Sequence, residues 1–438
     1  MRKEKVLIVA VFLALVAEPA DMYWGRLWTP MKLFGWFTEN LPVKLCVFEM
    51  LCIVLLLGTR AKPGQSRAMR RALFASLGAV VFCTGYGMLR GGWFKAVYTQ
   101  MHMWTFGLVF ALTVSTVLST SEHFRALQRA ALYATLYRSA AAIVLYIKLI
   151  GVPKKEMPAF MTTHDDTVLF VCGALILISQ VIEQRTRKAL KQLIYCLPFI
   201  LAAIQFNNRR LAWASLVGGL VILYLMLPAK SPAAKRANKW MMRIAPVVAI
   251  YVIVGLGRPE KIFAPLSAFS SMGVGQVDPS TKARDNENFG LVVMTLGQPL
   301  LGTGFGHEWL EVDPSYTVPV RVFPMYHYIP HNNVNAFFSF TGALGFSGLW
   351  MVFPVAAFLL ARSYRAAQQP EDRTIVAVGL VELLVVNNQM YGDMGAISLT
   401  PVLFSGFAFA AASRMPVITG AVQSKARTSQ PPPPLEGG

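Results

Sequence analysis

The chain of 438 residues is 55% hydrophobic but only 14% charged, and its formal net charge is +19. An average soluble domain carries about 25% charged residues, so this composition argues against a soluble globular protein and predicts a membrane protein. In a soluble protein the positive charge would indicate nucleic acid as a partner. Here the Lys and Arg residues lie between apolar runs, and we therefore expect membrane lipid, and no nucleic acid, as a partner of the chain.

Apolar runs recur along nearly the whole sequence. They predict an all-α polytopic protein with about twelve transmembrane helices, because a helix needs about 20 apolar residues to cross the hydrocarbon core. The first run has a basic end but no small-residue cleavage site, so we interpret it as a retained span and not as a signal peptide. The predicted spans comprise residues 6–20, 42–58, 72–89, 96–118, 125–150, 167–182, 192–206, 211–227, 244–257, 333–360, 374–391 and 399–413.

The distribution of Lys and Arg among the loops predicts the orientation in the membrane. Short cytoplasmic loops carry an excess of these residues, and the basic loops here are residues 60–71, 184–192, 229–243 and 361–373. These four loops follow the second, sixth, eighth and tenth spans, so they share one side, and that side is the cytoplasm only if the amino terminus is cytoplasmic too. The pattern therefore predicts a multi-pass membrane protein with both termini in the cytoplasm.

The sequence divides into four predicted regions. Residues 1–257 hold the first nine spans, residues 258–332 form one long periplasmic loop with short helices, and residues 333–413 hold the last three spans. Residues 414–438 are rich in Pro and polar residues, and we expect a disordered cytoplasmic tail there.

The long outer loop is the place where a polar site fits, because loops of its length, 75 residues, are usually functional or disordered. On the same side lie Arg209 and Arg210, within QFNNRRLAW, and Arg284 in the loop itself. A planar guanidinium makes bidentate bonds to phosphate oxygens, which suits a diphosphate leaving group. The flanking Asn207 and Asn208 add amide donors and favour a built pocket. The alternative is that Arg209 and Arg210 extend to lipid headgroups as interface anchors.

The loop ends with HYIPHNN, directly before an apolar run. His331 follows Pro330 at the predicted start of a helix, where the positive end of the helix dipole favours a neutral imidazole that accepts a proton. We predict His331 as the catalytic base and Asn332 and His327 as weaker candidates for substrate contact. The alternatives are a structural histidine and an asparagine that only caps the helix.

Two further sets of residues have competing interpretations. The glycines of LGTGFG let the backbone turn or approach a ligand, so Gly304 and Gly306 are candidates for substrate contact, with a plain turn as the alternative. Ionisable residues inside predicted spans either pair with one another or line a path through the membrane, and we favour pairing. These residues are Glu49, Arg138, Lys148 and Glu382. No metal-ligand cluster or paired-carboxylate motif occurs, and we expect neither a metal nor another cofactor.

The segments PLLGTGFG and HNNVNAFFSFTGALGFSGL, with the preceding arginines, resemble the O-antigen ligase and polymerase superfamily of bacterial membrane glycan transferases. The resemblance covers residues 200–350, and the rest of the chain matches in length and topology. It implies a GT-C-like fold in the bacterial inner membrane and a donor glycan on undecaprenyl pyrophosphate. It also implies that Arg284 and Arg210, or Arg209, hold the pyrophosphate, and that His331 is the base for the acceptor hydroxyl.

The chain departs from the pattern of that superfamily at three places. Asn208 and a doubled arginine stand where Ser and one Arg are common, Phe289 takes the place of the aromatic residue after the loop arginine, and Phe340 replaces an acidic residue. The second departure preserves the aromatic character. The third leaves no acid at that position.

Taken together, the residues and the resemblance predict a glycosyltransferase that polymerises repeat units of an exported polysaccharide, such as an exopolysaccharide, a capsule or O-antigen. An O-antigen ligase that transfers the glycan to lipid A core is the alternative, and a polysaccharide transporter or flippase is the alternative from another class. The expected partners are the lipid-linked donor, a glycan or lipid A core acceptor, a flippase and a chain-length regulator.

Overall fold

The computed structural model describes residues 2–17, 44–60, 62–153, 161–255, 279–314, 325–392 and 395–419, and residues 258, 263, 265 and 266. All regular secondary structure in these ranges is helical. The helices are α1 (Lys3–Ala17), α2 (Val47–Leu57), α3 (Arg67–Leu89), α4 (Phe94–Val117), α5 (Ser121–Lys148), α6 (Asp166–Gln184), α7 (Arg187–Phe206), α8 (Arg210–Met226), α9 (Pro232–Gly255), α10 (Pro279–Gly297), α11 (Asn333–Trp350), α12 (Val352–Ala366), α13 (Pro370–Gly392), α14 (Leu399–Ser413) and α15 (Met415–Ile418).

Seven helical stretches in the described part of the chain are long and apolar enough to cross a membrane, with α11 and α12 counted as one stretch. Three shorter apolar helices, α2, α8 and α14, accompany them. The prediction of an α-helical membrane protein is confirmed by these helices. Every predicted span overlaps a helix, and only residues 18–20, 42–43 and 256–257 of those spans lie outside the described residues.

Two features of the helices differ from the predicted spans in an informative way. Helix α9 begins at Pro232, within the basic loop predicted for residues 229–243, because Ala, Lys, Arg and Met favour helix whether or not they lie in lipid. The predicted span 333–360 is two helices, and Gly342 inside the first has a φ of 60°. Hydropathy reports neither event, because it measures transfer to lipid and not backbone geometry.

The first residues after α14 are folded. Arg414 is fully buried and donates hydrogen bonds to the carbonyls of Ser115 and Pro63, and α15 follows it directly. The predicted disordered tail, residues 414–438, therefore includes six residues that pack on the helices, up to Thr419. Residues 420–438 lie outside the described part of the chain.

Contacts between loops define two ends of the helix bundle. The basic end joins all four loops in which Lys and Arg concentrate. Its contacts are Lys62–Glu4 (3.3 Å), Ser66 N–Ser413 O (2.7 Å), Arg125–Asp372 (3.7 Å), Gln184–Thr374 (3.5 Å) and Arg236–Ile182 O. The other end, called the His331 end, is defined by the contacts Trp93 N–Gly306 O (3.0 Å), Gln100–Tyr328 O (2.8 Å) and Ala396 N–Asn333 Oδ1 (2.8 Å).

Aromatic side chains fix α11 against α4 and α12 and thereby position the His331 end. Trp104 of α4 stacks on Trp350 at 5.1 Å between ring centroids and meets Phe337 of α11 edge-on at 5.5 Å. Phe305, from the glycine loop, meets the same Phe337 ring at 5.9 Å. Such large, rigid rings hold the first turns of α11 and the glycine loop at one depth in the bundle.

Two of the four ionisable residues singled out inside the predicted spans pair, but with partners other than those predicted. Arg138 binds Asp166 at 2.8 Å, and Glu49 lies 2.9 Å from His102. We predicted that Arg138 and Glu49 would pair within their own set, and this was wrong, because their partners Asp166 and His102 lie on other helices and local sequence does not show which helices meet. Glu382 is buried and has no ion-pair partner among the described residues.

Candidate functional site

The glycine loop, residues 302–306, turns on three glycines in the left-handed region. The φ values of Gly302, Gly304 and Gly306 are 65°, 85° and 97°. A Cβ atom on Gly304 would lie 2.3 Å from the Cα of Gly87, and its N–H donates to the carbonyl of Phe340 at 2.7 Å. The close backbone approach thus joins the loop to α3 and α11. Packing accounts for Gly304 and Gly306, and their contact with a substrate stays a prediction.

Gln100 of α4 holds the two halves of the outer segment together. Its side-chain oxygen accepts the N–H of Gly306 at 2.6 Å, and its amide nitrogen donates to the carbonyl of Tyr328 at 2.8 Å. Within the same outer segment, the indole N–H of Trp309 donates to the carbonyl of Tyr326 at 3.0 Å. The described parts of the predicted long loop are therefore packed, as a site with fixed geometry requires.

Glu287 on α10 makes the central contact of the His331 end. This carboxylate is only 1% exposed, and its Oε2 lies 3.0 Å from Nδ1 of His331. Its Oε1 accepts the backbone N–H of His331 and that of Asn332, the latter at 3.3 Å. One buried side chain thus fixes both the backbone and the ring of the predicted base. Sequence analysis missed Glu287, because nothing in the local sequence relates it to a histidine 44 positions away.

The orientation of the His331 ring follows from that contact. A carboxylate only accepts hydrogen bonds, so Nδ1 carries the proton, and Nε2 of the neutral ring is then an acceptor. Within the described part of the chain Nε2 has no hydrogen-bond partner, and the side chain is 28% exposed. The ring therefore presents a basic nitrogen to whatever occupies the space beyond it.

Asn332 is the N-cap of α11, so the capping alternative describes it correctly. Its Oδ1 accepts the N–H of Asn335 at 3.1 Å, and its amide nitrogen donates to Oδ1 of Asn288 at 2.9 Å. Both polar atoms of the side chain thus have protein partners. Asn333, buried beside it, accepts the N–H of Ala396 at 2.8 Å, which joins α11 to the segment before α14. Substrate contact by Asn332 stays a prediction.

His327 is paired differently from His331. Its Nε2 lies 3.1 Å from Oε2 of Glu311, and its ring packs against Trp309 and Tyr326 at 5.9 and 5.2 Å. These contacts explain its position without a substrate, and substrate contact by His327 stays a prediction. Burial, and then the negative charges of Glu287 and Glu311, raise the pKa of Tyr326 to about 12. Tyr326 is therefore a neutral phenol at ordinary pH and not a base.

The three predicted arginines lie at the His331 end, and they differ in how directly their helices contact the segment of His331. Arg284 is on α10, three residues before Glu287, half-buried, and has no ion-pair partner within the described residues. Arg209 and Arg210 precede and begin α8. The structure thus places Arg284 on the helix whose Glu287 contacts His331.

Arg209 and Arg210 are connected to His331 through a longer series of contacts. Leu211, the next residue, packs on Gly392 at the end of α13, where a Cβ atom would lie 3.2 Å from the Leu211 side chain. A few residues later Ala396 binds Asn333. The side chain of Arg209 is half-buried and that of Arg210 is exposed. Their charges therefore border the same end of the bundle.

The asparagines before these arginines were expected to add amide donors to a pocket, and the structure corrects this for Asn207. Asn207 is buried, accepts the N–H of Thr162 at 3.1 Å and donates to Thr163 O at 3.0 Å. Asn208 adopts a φ of 53°, which ends α7. Both residues shape the turn that carries Arg209, because Asn readily adopts the left-handed conformation and satisfies buried backbone groups.

Among the described residues, no group of three or more His, Cys, Asp or Glu side chains is arranged to hold a metal ion. The chain matches no model of a known protein family, and it has no significant match among curated proteins. A function for the His331 end is therefore argued from its geometry and from the resemblance of the motifs.

Proposed function

We propose that the protein is a membrane glycosyltransferase that transfers a glycan from undecaprenyl pyrophosphate at the periplasmic face of the bacterial inner membrane. The observation that carries the proposal is the contact between Glu287 and His331 Nδ1 at 3.0 Å. It presents a proton-accepting Nε2 beside the helix that carries Arg284. A base, and a guanidinium on the helix that orients that base, are the two groups that such a transfer needs.

The reaction follows from these positions. Nε2 of His331 takes the proton of an acceptor hydroxyl while that oxygen forms a bond to the anomeric carbon of the donor. The bond between that carbon and the diphosphate oxygen breaks, and the lipid diphosphate leaves with the electron pair. Arg284, with Arg209 or Arg210, neutralises the charge that develops on the leaving group.

The finer topology is also part of the proposal: about twelve spans, both termini in the cytoplasm and a GT-C-like arrangement. Support comes from the two ends of the bundle. Ser66, before α3, contacts Ser413 at the basic end, whereas Trp93, after α3, contacts Gly306 at the His331 end. The four basic loops therefore lie across the bundle from His331, as loops on the cytoplasmic side do when the site is periplasmic.

Among transferases, we favour a polymerase that joins repeat units of an exported polysaccharide, and an O-antigen ligase that uses lipid A core as acceptor is the second candidate. Membrane lipid surrounds the protein in either case, and a flippase and a chain-length regulator are proposed partners of a polymerase. The two reactions share donor and base and differ only in the acceptor.

One observation favours a transporter instead. Glu382 lies in the middle of α13, buried and without an ion-pair partner within the described residues, and such acids mark ion paths in carriers. Two other ionisable residues within helices have partners at close range: Arg138 with Asp166 and Glu49 with His102. The convergence of polar residues at one end, and not at mid-depth, favours the enzyme.

The test is a series of chromosomal variants in the native host, with glycan length read on gels and lipid-linked intermediates extracted from membranes. We expect His331→Ala, Arg284→Ala and Arg210→Ala each to abolish long chains while the protein still accumulates, and Arg209→Ala identifies which of the paired arginines contributes more. Single units on the lipid carrier indicate a polymerase, and full-length lipid-linked chains indicate a ligase. Normal glycan in His331→Ala, with loss in Glu382→Gln, would support the transporter and overturn the enzyme.

A further inference from the structure

We infer that Glu287 is a positioning residue that holds His331 in the one tautomer able to act as a base. The inference rests on the proposed function, since it assigns a partner to the same histidine. Glu287 lies on a different helix, 44 residues earlier in the chain. It acts on the acceptor hydroxyl only through the imidazole.

The two carboxylate oxygens of Glu287 have different partners. Oε1 accepts the backbone N–H groups of His331 and Asn332, which have no helical acceptor because they precede α11. Oε2 accepts from Nδ1 of His331 at 3.0 Å. The first oxygen holds the peptide, and the second selects which ring nitrogen carries the proton.

The tautomer matters because the two ring nitrogens are inequivalent. A hydrogen bond from Nδ1–H to a carboxylate leaves the lone pair on Nε2, and the carboxylate also stabilises the imidazolium that forms when Nε2 takes a proton. A donor facing Nδ1 would have the opposite effect. It would place the lone pair on Nδ1 and the proton on Nε2, where the ring cannot accept the proton of an acceptor hydroxyl.

Glu287 also relates the position of His331 to that of Arg284. Arg284 lies three residues earlier on the same helix, and residues three apart share one face of a helix. Asn288, the next residue, accepts the side-chain amides of Asn332 and Asn335 at 2.9 and 3.3 Å. The contact surface between α10 and α11 is therefore polar and specific at the level of His331.

The substitution Glu287→Gln separates this role from simple packing. Glutamine has the same shape, and its oxygen can still accept the two backbone N–H groups, while its NH2 group then faces Nδ1 and donates to it. The fold is preserved and the tautomer reverses. In Ser-His-Asp triads the equivalent change of carboxylate to amide leaves the geometry intact and lowers kcat by about 10⁴.

The chain offers a matched control in Glu311→Gln. Glu311 is a second partly buried glutamate paired with a histidine of the same segment, His327, at 3.1 Å. This substitution removes the same charge and the same type of contact, but it leaves the contact of Glu287 with Nδ1 of His331 in place. General effects of losing a carboxylate near the His331 end would appear in both variants.

The experiment uses full-length protein in lipid nanodiscs, with the lipid-linked glycan fraction extracted from the native host's membranes as substrate. We expect Glu287→Gln to lower kcat by roughly 10² to 10⁴ with little change in KM for that fraction, and Glu311→Gln to retain kcat within a few-fold. A displaced carboxylate, in Glu287→Asp, should restore part of the rate. The thermal unfolding midpoints of both glutamine variants should stay close to that of the parent.

A spectroscopic measurement reports the tautomer without any activity. With ¹⁵N-labelled histidine, assigned by comparison with His331→Ala, we expect the unprotonated nitrogen of His331 to be Nε2 in the parent protein and Nδ1 in Glu287→Gln. An unchanged tautomer, or a Glu287→Gln variant that turns over like the parent while His331→Ala is inactive, would overturn the positioning role. Activity in His331→Ala would overturn the proposed function instead, and the spectra would still test the contact.

Discussion

His331 and His327 lie four residues apart, and each faces a glutamate at about the same distance, 3.0 Å and 3.1 Å. Their side chains are exposed to a similar degree, 28% and 24%. The difference is the nitrogen that meets the carboxylate: Nδ1 in His331 and Nε2 in His327. The comparison teaches that neither a histidine nor a carboxylate beside it identifies a base, since what matters is which nitrogen is left to accept a proton.

The largest effect on glycan transfer is expected when each of these two histidines is replaced by alanine in turn. His331→Ala removes the proton acceptor and should reduce glycan transfer by about 10² to 10⁴, the usual contribution of a general base. His327→Ala removes packing against Trp309 and should cost stability far more than turnover. Transfer rates in membranes, normalised to protein level, check both. Equal losses in the two variants would contradict the distinction between the pairs and would support the predicted substrate contact of His327.

The next effect concerns Arg284, the cation on the helix that carries Glu287. Arg284→Ala should lower transfer by about 10² to 10³, because one positioned donor to the leaving group is lost, and Arg284→Lys should recover part of it as a point charge without the bidentate fork. Lys282, two residues earlier and exposed on the same helix, provides the control. A Lys282→Ala variant as impaired as Arg284→Ala would show that general positive charge, and not this guanidinium, is required.

A third prediction concerns the glycine loop, which packs against α3 and α11. Gly304→Ala places a Cβ atom 2.3 Å from the Gly87 backbone, at a positive φ that alanine rarely adopts, so we expect a loss of about 1 to 3 kcal/mol or more of stability. The measurement is the amount of folded protein in membranes and its unfolding midpoint in mixed detergent. Gly297→Ala is the control, because a Cβ atom there meets nothing within 4 Å. Equal behaviour of the two variants would disprove the tight contact between the loop and α3.

The smallest effect is expected at the N-cap of α11. Asn332→Ala removes the acceptor for the Asn335 N–H and should cost about 1 kcal/mol, typical of a lost cap. Asn332→Asp retains that acceptor and should recover most of the stability. Chemical denaturation in detergent measures both. A loss of transfer in Asn332→Asp at unchanged stability would instead support the predicted contact of its amide with a sugar hydroxyl.

Part of the His331 end was predictable from sequence because it depends on local features. Pro330 followed by an Asn-rich stretch before an apolar run marks a helix start, and His331 does precede the N-cap of α11. The glycines of the loop signalled sharp turns, and all three have positive φ. What they pack against was not predictable, because Gly87 lies more than 200 residues away on α3.

The residues that sequence analysis missed share one property: they work through distant partners. Glu287 reads as one more charge in an acidic segment, and Asp166 as one of two acids before a span, until the fold brings them to His331 and Arg138. Asn207 was read as a donor for a ligand, and its amide is instead satisfied by residues 162 and 163. A buried polar group forms a hydrogen bond with whichever donor or acceptor lies near it, and local sequence does not predict which residues of other helices lie near.

The sequence by itself determined that this is an α-helical protein of the membrane, because transfer of apolar side chains into lipid is a sum over local residues. It also determined where one helix starts behind a histidine, because capping and proline act within a single turn. Only the tertiary structure decided which carboxylate meets that histidine and through which nitrogen. That outcome depends on the packing of α10 against α11, which is set by side chains from helices far apart in the chain.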